Sequence, residues 1–188
     1  MYPNWGKRFV DVIAAVCAFI ALMPILTLIA ILIKVFDPGP IIFRQQRIGR
    51  GGKSFTFFKF RSMPVNTGDI PSDQVGQIKL TWIGRVIRRT NLDELPQLFN
   101  ILRGDMSIVG PRPPIPSQTE LLQARASNGA DACRPGLTGL AQISSFDGMS
   151  VQQKAEFDRE YAANITFFND VLIILKTFGY LLKPPPVY

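Results

Sequence analysis

Asn91-Leu92-Asp93-Glu94-Leu95-Pro96-Gln97-Leu98-Phe99-Asn100 carries two adjacent carboxylates just ahead of a proline, between the basic run Arg85, Arg88, Arg89 and a short apolar stretch. Proline is tolerated in the first turn of a helix and disfavours helical geometry in the residue before it. The spacing therefore predicts a short helix from Pro96 to Leu102, stopped at Gly104. Asp93 and Glu94 then fall at or just before a helix N-terminus, where unpaired amides favour negative charge. Taken alone, the pair reads as ordinary helix-start acids. Its surroundings change that reading.

Upstream, residues 80–89 have helical spacing, with Trp82, Ile83, Val86 and Ile87 on one side and Arg85, Arg88 and Arg89 around the other. This suits a helix lying on an anionic membrane surface, and equally a core helix with a solvated basic face. Downstream comes Gly110-Pro111-Arg112-Pro113-Pro114, whose proline frame leaves Arg112 little freedom and presents its planar fork to a fixed point. A guanidinium so held suits phosphate or carboxylate oxygens, and pairing with a structural carboxylate is the plainer role. Cys133-Arg134-Pro135-Gly136-Leu137-Thr138-Gly139-Leu140 repeats the theme of an arginine before proline in a compact loop.

Further out, Ile41-Ile42-Phe43 and residues 54–60 read as extended segments around the turn Gly49-Arg50-Gly51-Gly52-Lys53, a β-hairpin pattern. The glycines match no strand-loop-helix phosphate signature, so a plain turn is the simpler role. Residues 64–79 form a polar loop placed to cover a site. Residues 119–127 look helical, and Ser150 is a plausible N-cap for a charged helix reaching Tyr161. A strongly apolar helix over residues 167–182 carries only Asp170 and Lys176 as charges. It is too short for a comfortable span and should pack on the core or lie in the interface.

The N-terminus is of another kind. From residue 9 to 33 the sole charge is Asp11, which can pair with Lys7 one turn earlier. A helix of that length measures about 38 Å against a bilayer core of about 30 Å. The run is too long for a cleaved signal peptide and lacks a small-residue cleavage site. Pro24 interrupts its middle, and both flanks are basic, with Lys7 and Arg8 before and Lys34, Arg44, Arg47, Arg50 and Lys53 after. The positive-inside tendency draws both flanks to the cytoplasm. A re-entrant helix broken at Pro24 satisfies them, since each arm of about 22 Å is too short to cross. A kinked single span is the other solution.

Length and composition bound the rest. The 188 residues suffice for one domain with a core, here residues 1–36 as membrane helix and 37–188 as catalytic unit, built together. The expected fold is mostly α with a small β-hairpin. With the family resemblance set out below, it comprises the re-entrant helix and interfacial amphipathic helices around a compact cytoplasmic domain. A net charge of +7 points to an anionic partner such as lipid head groups, nucleotide phosphates or nucleic acid. Nucleic acid is disfavoured, because the charge is scattered and no recognition motif appears. The chain contains no histidine, which removes Ser-His triads, histidine bases and histidine-ligated zinc. Cys17 and Cys133 match no metal spacing, and a reducing compartment fits. What remains is a carboxylate pair among Lys59, Arg61, Arg88, Arg112 and Arg134. Such a set suits phosphoryl chemistry, where the protein positions groups and neutralises charge, usually with Mg²⁺. Aspartate can itself act as the nucleophile. A non-catalytic membrane anchor recruiting anionic partners through its basic face is the alternative.

Several blocks in order carry a family resemblance: Lys7-Arg8-Phe9-Val10-Asp11, Pro24, Lys59-Phe60-Arg61-Ser62-Met63, Leu92 to Asn100, Gly104-Asp105-Met106-Ser107, Gly110-Pro111-Arg112-Pro113 and Arg134-Pro135-Gly136-Leu137-Thr138-Gly139. Over nearly its whole length the chain resembles the small monotopic phosphoglycosyl transferases, bacterial sugar transferases acting on polyprenol phosphate. The resemblance implies transfer of a sugar 1-phosphate from a UDP-sugar to undecaprenyl phosphate with release of UMP, the first membrane step of glycoconjugate assembly such as exopolysaccharide or O-antigen. It implies Asp93 as nucleophile forming a covalent phosphosugar intermediate with ping-pong kinetics, Mg²⁺ against Asp93 with Glu94 supporting, and Lys59, Arg88 and Arg112 on phosphates. Arg61 and Arg134 are weaker candidates for phosphate binding. It also implies the re-entrant helix, membrane lipids as partners, and the cytoplasmic face of the bacterial inner membrane as location; a homo-oligomer stays open. Two departures stand out. Met23 occupies the position before the membrane proline where the family commonly has serine, so Thr27 or groups elsewhere must satisfy the break. Ser144-Ser145-Phe146-Asp147-Gly148 replaces a segment in which some members carry an arginine.

Overall fold

The computed structural model describes residues 2–64, 80–144 and 149–181. The expected polar loop, from residue 65 to 79, and residues 145–148 of the second departure lie outside them. A π-helical turn, Tyr2–Gly6, leads into α1, Lys7–Phe36. The hairpin β1 (Ile42–Ile48) and β2 (Ser54–Phe60) follows, then α2 (Trp82–Arg89), a 3₁₀ turn at Leu92–Glu94 and α3 (Gln97–Arg103). The chain continues through β3 (Ser107–Val109), α4 (Thr119–Asn128), β4 (Gly136–Thr138), α5 (Leu140–Ser144), α6 (Val151–Ala163) and α7 (Phe167–Leu181).

Most helices end where local chemistry stops them. Thr81 caps α2 by accepting from the Gly84 amide at 3.1 Å. Gly104 closes α3 in the left-handed region, φ 93°. Ser150 and Gln153 form a capping box at the start of α6. The hairpin pairs antiparallel from Ile42 opposite Phe60 to Ile48 opposite Ser54, so its first strand runs further than the apolar signal of residues 41–43. A second pairing corrects the expectation of a hairpin alone: β3 and β4 lie parallel, Ser107 opposite Gly136 and Val109 opposite Thr138. Both proline-framed segments had looked like loops, because proline hides strand character. Their approach is so close that a Cβ on Gly136 would overlap the Gly110 amide nitrogen.

Helix α1 is long and apolar enough to cross a bilayer. It runs through Pro24 as one hydrogen-bonded helix, so the anticipated break is no interruption of secondary structure. The Thr27 hydroxyl donates to the Met23 carbonyl at 2.9 Å, adding a bond in the turn that proline weakens. One face of α1 enters the core at both ends. Ala15 packs with Phe57, Leu98, Ile101 and Met106. Leu26, Ile29 and Ile33 pack with Phe60, Ile83 and Ile87. The other face leaves Phe9, Ile13, Ile20, Leu28, Ile31 and Val35 exposed.

Asp11 is buried and does more than pair with Lys7. It accepts from the Ser107 hydroxyl at 2.7 Å and the Ile108 amide at 3.0 Å, pinning α1 to β3. Lys7 reaches Asp170 on α7 at 2.7 Å, and Tyr2 and Tyr161 donate to the same carboxylate at 2.7 and 2.8 Å. Helix α2 splits its apolar side, with Ile83 and Ile87 buried and Val86 and Trp82 exposed, the Trp82 ring edge-on to Phe36.

Candidate active site

The dyad sits on the 3₁₀ turn between α2 and α3. Asn91 enters it with φ 54°, a left-handed conformation that asparagine tolerates better than most residues. Leu92 and Leu95 pack against the cluster of Phe60, Ile83 and Ile87, so the turn is fastened to the core by the leucines flanking its acids. Pro96 then stands at the N-cap of α3. This places Asp93 at 4% exposure, unusual for a carboxylate whose nearest cation among the described residues, Lys59, stands beyond hydrogen-bond distance.

Lys59, near the end of β2, brings its ammonium to 3.9 Å from Asp93 Oδ2. Arg112 donates to Glu94 Oε1 at 2.8 Å. Arg88, in the last turn of α2, is near enough to act electrostatically on both Lys59 and Asp93. Burial pushes the Asp93 carboxyl up to about 6 and the Glu94 charge adds to this, while Lys59, Arg88 and Arg112 oppose it. Burial also disfavours the Glu94 anion, yet Arg112 and Lys59 outweigh it and hold that carboxyl below its ordinary range. Burial lowers Lys59, with Asp93 and Glu94 counteracting. The neighbours are thus driven apart: Glu94 is locked as an anion on an arginine, and Asp93 ionises near neutrality. A carboxylate poised in this way is a usable nucleophile at neutral pH.

The structure brings together Lys59, Arg88, Asp93, Glu94 and Arg112. It does not bring Arg61 and Arg134 to them. Arg61 is buried at the far end of α1, bonded to the Asp37 backbone carbonyl and lying 3.1 Å from Asp37 Oδ1. Arg134 donates to the Gly104 carbonyl at 3.2 Å, beyond the C-terminus of α3. Arg8 occupies the same region, donating to the carbonyls of Ile101 and Leu102 at 2.6 and 3.1 Å. The two arginines cap α3, where cations are favoured.

Two contributing residues escaped the sequence reading. Gln97 is buried one turn after Glu94, where its side-chain amide helps keep Glu94 ionised. Asn100 is fully buried; it accepts from the Phe58 amide at 3.1 Å and donates to Thr56 O at 2.7 Å. That amide clamps α3 to β2 and so fixes the strand bearing Lys59. The signal for both was a polar residue on the inner side of an otherwise apolar short helix.

A metal can be tested against the donors. Among the described residues no three His, Cys, Asp or Glu side chains gather to hold an ion. Asp93 and Glu94 offer two carboxylates, the share protein usually provides to Mg²⁺ when substrate phosphates complete the shell. The donor set fits a Mg²⁺ that arrives with a phosphorylated substrate, not a protein-only cage.

The chain is similar to proteins of known name. A glucose-1-phosphate transferase from Caulobacter vibrioides, named for UDP-glucose and undecaprenyl phosphate, is 39% identical over 97% of this chain and 72% of its own length. The exopolysaccharide production protein ExoY of Rhizobium meliloti is 38% identical over 92% of this chain and 83% of its own length. An N-acetylgalactosaminephosphotransferase from Aeromonas hydrophila, named for its UDP-sugar and undecaprenyl phosphate, is 38% identical over 94% of this chain but 43% of its own length. The chain thus spans most of the first two and less than half of the third. The profile described as "Bacterial sugar transferase" matches residues 2–184. Carboxylate dyad, basic surround and matched length lead to one conclusion: the chain belongs to the bacterial sugar transferase family.

Proposed function

We propose that this protein transfers a sugar 1-phosphate from a UDP-sugar to undecaprenyl phosphate, releasing UMP. The observation that carries the reading is the buried Asp93, ionising near neutrality beside Lys59 at 3.9 Å, with its neighbour Glu94 held by Arg112 at 2.8 Å. The names of the relatives supply the donor and acceptor classes.

An Asp93 oxygen attacks the β-phosphorus, and the bond from that phosphorus to the bridging oxygen breaks. UMP leaves, and the sugar phosphate stays on Asp93 as an acyl phosphate. A phosphate oxygen of undecaprenyl phosphate then attacks the same phosphorus; the Asp93–phosphorus bond breaks and the carboxylate returns. The kinetics are ping-pong. Both nucleophiles are anions and the leaving groups are UMP and then the Asp93 carboxylate, so neither half-reaction needs a general base or acid. This accounts for a chain without histidine. Lys59, Arg88 and Arg112 bind and neutralise the phosphates, and Glu94 positions Arg112. A Mg²⁺ held by Asp93 and Glu94 would, when bound, neutralise charge across the diphosphate.

The course of α1 supports a membrane placement. Its start is tied to α3 and β3 through Arg8 and Asp11, and its end to the hairpin through Asp37 and Arg61. Both ends hold one body, so a full crossing would have to carry part of that body across the bilayer. The helix therefore enters and leaves by the cytoplasmic face, bending at Pro24, with its exposed apolar side and Trp82 in lipid. Initial-rate assays of UMP release test the function. Release should require a UDP-sugar, undecaprenyl phosphate and Mg²⁺. Retention of most activity by Asp93→Asn would overturn the covalent mechanism.

A further inference from the structure

The segment Pro111-Arg112-Pro113-Pro114 presents an arginine to the dyad, yet it can hardly secure itself. Three of its four residues have no backbone N–H, so carbonyls are nearly all it has to be held by. Three successive carbonyls are each taken by a different donor. Arg125 Nη1 donates to Arg112 O at 2.9 Å. Arg47 Nη1 donates to Pro113 O at 3.0 Å, and the Ile48 amide to Pro114 O at 2.9 Å. Arg125 on α4 and Arg47 on β1 are both buried, at 6% and 7% exposure.

Arg125 is itself fixed. Its Nε and Nη2 both reach Asp158 Oδ2 on α6, at 2.8 and 2.6 Å, and Asp158 is 2% exposed. A buried ion pair is a poor way to gain stability, since volume-matched apolar residues often serve as well or better. What apolar residues cannot supply is an N–H aimed at Arg112 O. The chain of contacts runs Asp158 to Arg125, Arg125 to the Arg112 backbone, and the Arg112 guanidinium to Glu94.

We propose that Arg125, oriented by Asp158 and opposed by Arg47, is a positioning residue that sets the Arg112 guanidinium on the dyad. The proposal rests on the reading of Asp93 and Glu94 as the reaction centre.

The test is a double-mutant cycle in the full-length, detergent-solubilised protein, with UMP release and thermal unfolding measured on every variant. Arg125→Met with Asp158→Leu removes both buried charges together. Its melting temperature should stay within a few degrees of wild type while kcat/KM falls about tenfold, the equivalent of about 1.4 kcal/mol. Combined with Arg112→Lys, the pair should add almost nothing to the loss caused by Arg112→Lys alone. Arg125→Lys keeps the charge facing Asp158 but loses the forked reach to Arg112 O, and decides the matter if the apolar pair misfolds. In that variant the acid limb of kcat/KM should move to higher pH, because a loosened Arg112 no longer depresses Glu94 and Asp93. Unchanged activity, or a loss fully additive with Arg112→Lys, overturns the proposal. Wild-type protein inactive with every UDP-sugar tried would instead remove the reading beneath it, and the proposal with it.

Discussion

Lys59 Nζ stands 3.9 Å from Asp93 Oδ2, beyond hydrogen-bond reach and well within Coulomb reach. The lysine therefore lowers the pKa of the aspartate without tying up an oxygen, leaving that oxygen available to attack. Since Asp93 ionises at about 6, kcat/KM should fall as pH drops through that value. Lys59→Met removes the largest influence opposing burial, so the acid limb should shift to higher pH and the rate at pH 7 should drop. A pH–rate profile of UMP release for both proteins checks the sign; an acid limb that stays in place rules out this role for Lys59.

The two dyad carboxylates should not be equivalent. Asp93→Asn removes the proposed nucleophile, and turnover should fall by roughly 10⁴-fold or more, as for loss of covalent catalytic groups elsewhere. Glu94→Gln keeps the shape but gives up the charged bond to Arg112, worth about 1.5–3 kcal/mol, so a loss of roughly 10–100-fold is expected. Intact-mass analysis with UDP-sugar alone should find a phosphosugar adduct on wild type and on Glu94→Gln, and none on Asp93→Asn.

Asn100→Ala is expected to be among the more damaging changes away from the dyad. It strips partners from the buried Phe58 amide and the Thr56 carbonyl, each costing about 1–3 kcal/mol. Denaturant unfolding in detergent should show a loss of about 3 kcal/mol. Activity should fall as well, because β2 carries Lys59.

Topology can be read by labelling. In a Cys17→Ala, Cys133→Ser background, Trp5→Cys and Pro38→Cys place thiols at exposed positions flanking α1. A membrane-impermeant maleimide should label both from the cytoplasmic side of inverted vesicles and neither from the other side. Labelling from opposite sides would exclude the re-entrant arrangement.

Much of this molecule is legible in its sequence, and the exceptions share a cause. The helix after Pro96, the stop at Gly104, the cap at Ser150 and the hairpin around Gly49 are all set by local chemistry that single residues announce. The parallel β3–β4 pair is not, because its partners lie far apart in the chain and both carry the marks of proline loops. Among the site residues, Arg112 is legible from its proline frame, whereas Arg61 shares the same charge and serves the end of α1 instead. Basic character identifies a pool of candidate phosphate binders; only the tertiary path gathers Lys59, Arg88 and Arg112 around the dyad. Arg125 and Asp158 were invisible for the same reason, each reading as an ordinary charge on a polar helix.

The carboxylate of Asp170, gathering Tyr2, Lys7 and Tyr161, has a consequence for how the chain matures. Lys7 leaves the ribosome with its partner still 163 residues from synthesis. At bacterial elongation speeds that gap is roughly 8–30 seconds, long compared with helix formation or collapse. Until the hairpin, α2 and α3 emerge, α1 is an apolar rod with no protein to cover it, and lipid is a solvent that accepts it. On the membrane placement proposed above, insertion precedes the closing of the Asp170 cluster, and the arrival of α7 completes the fold around a helix already seated in lipid.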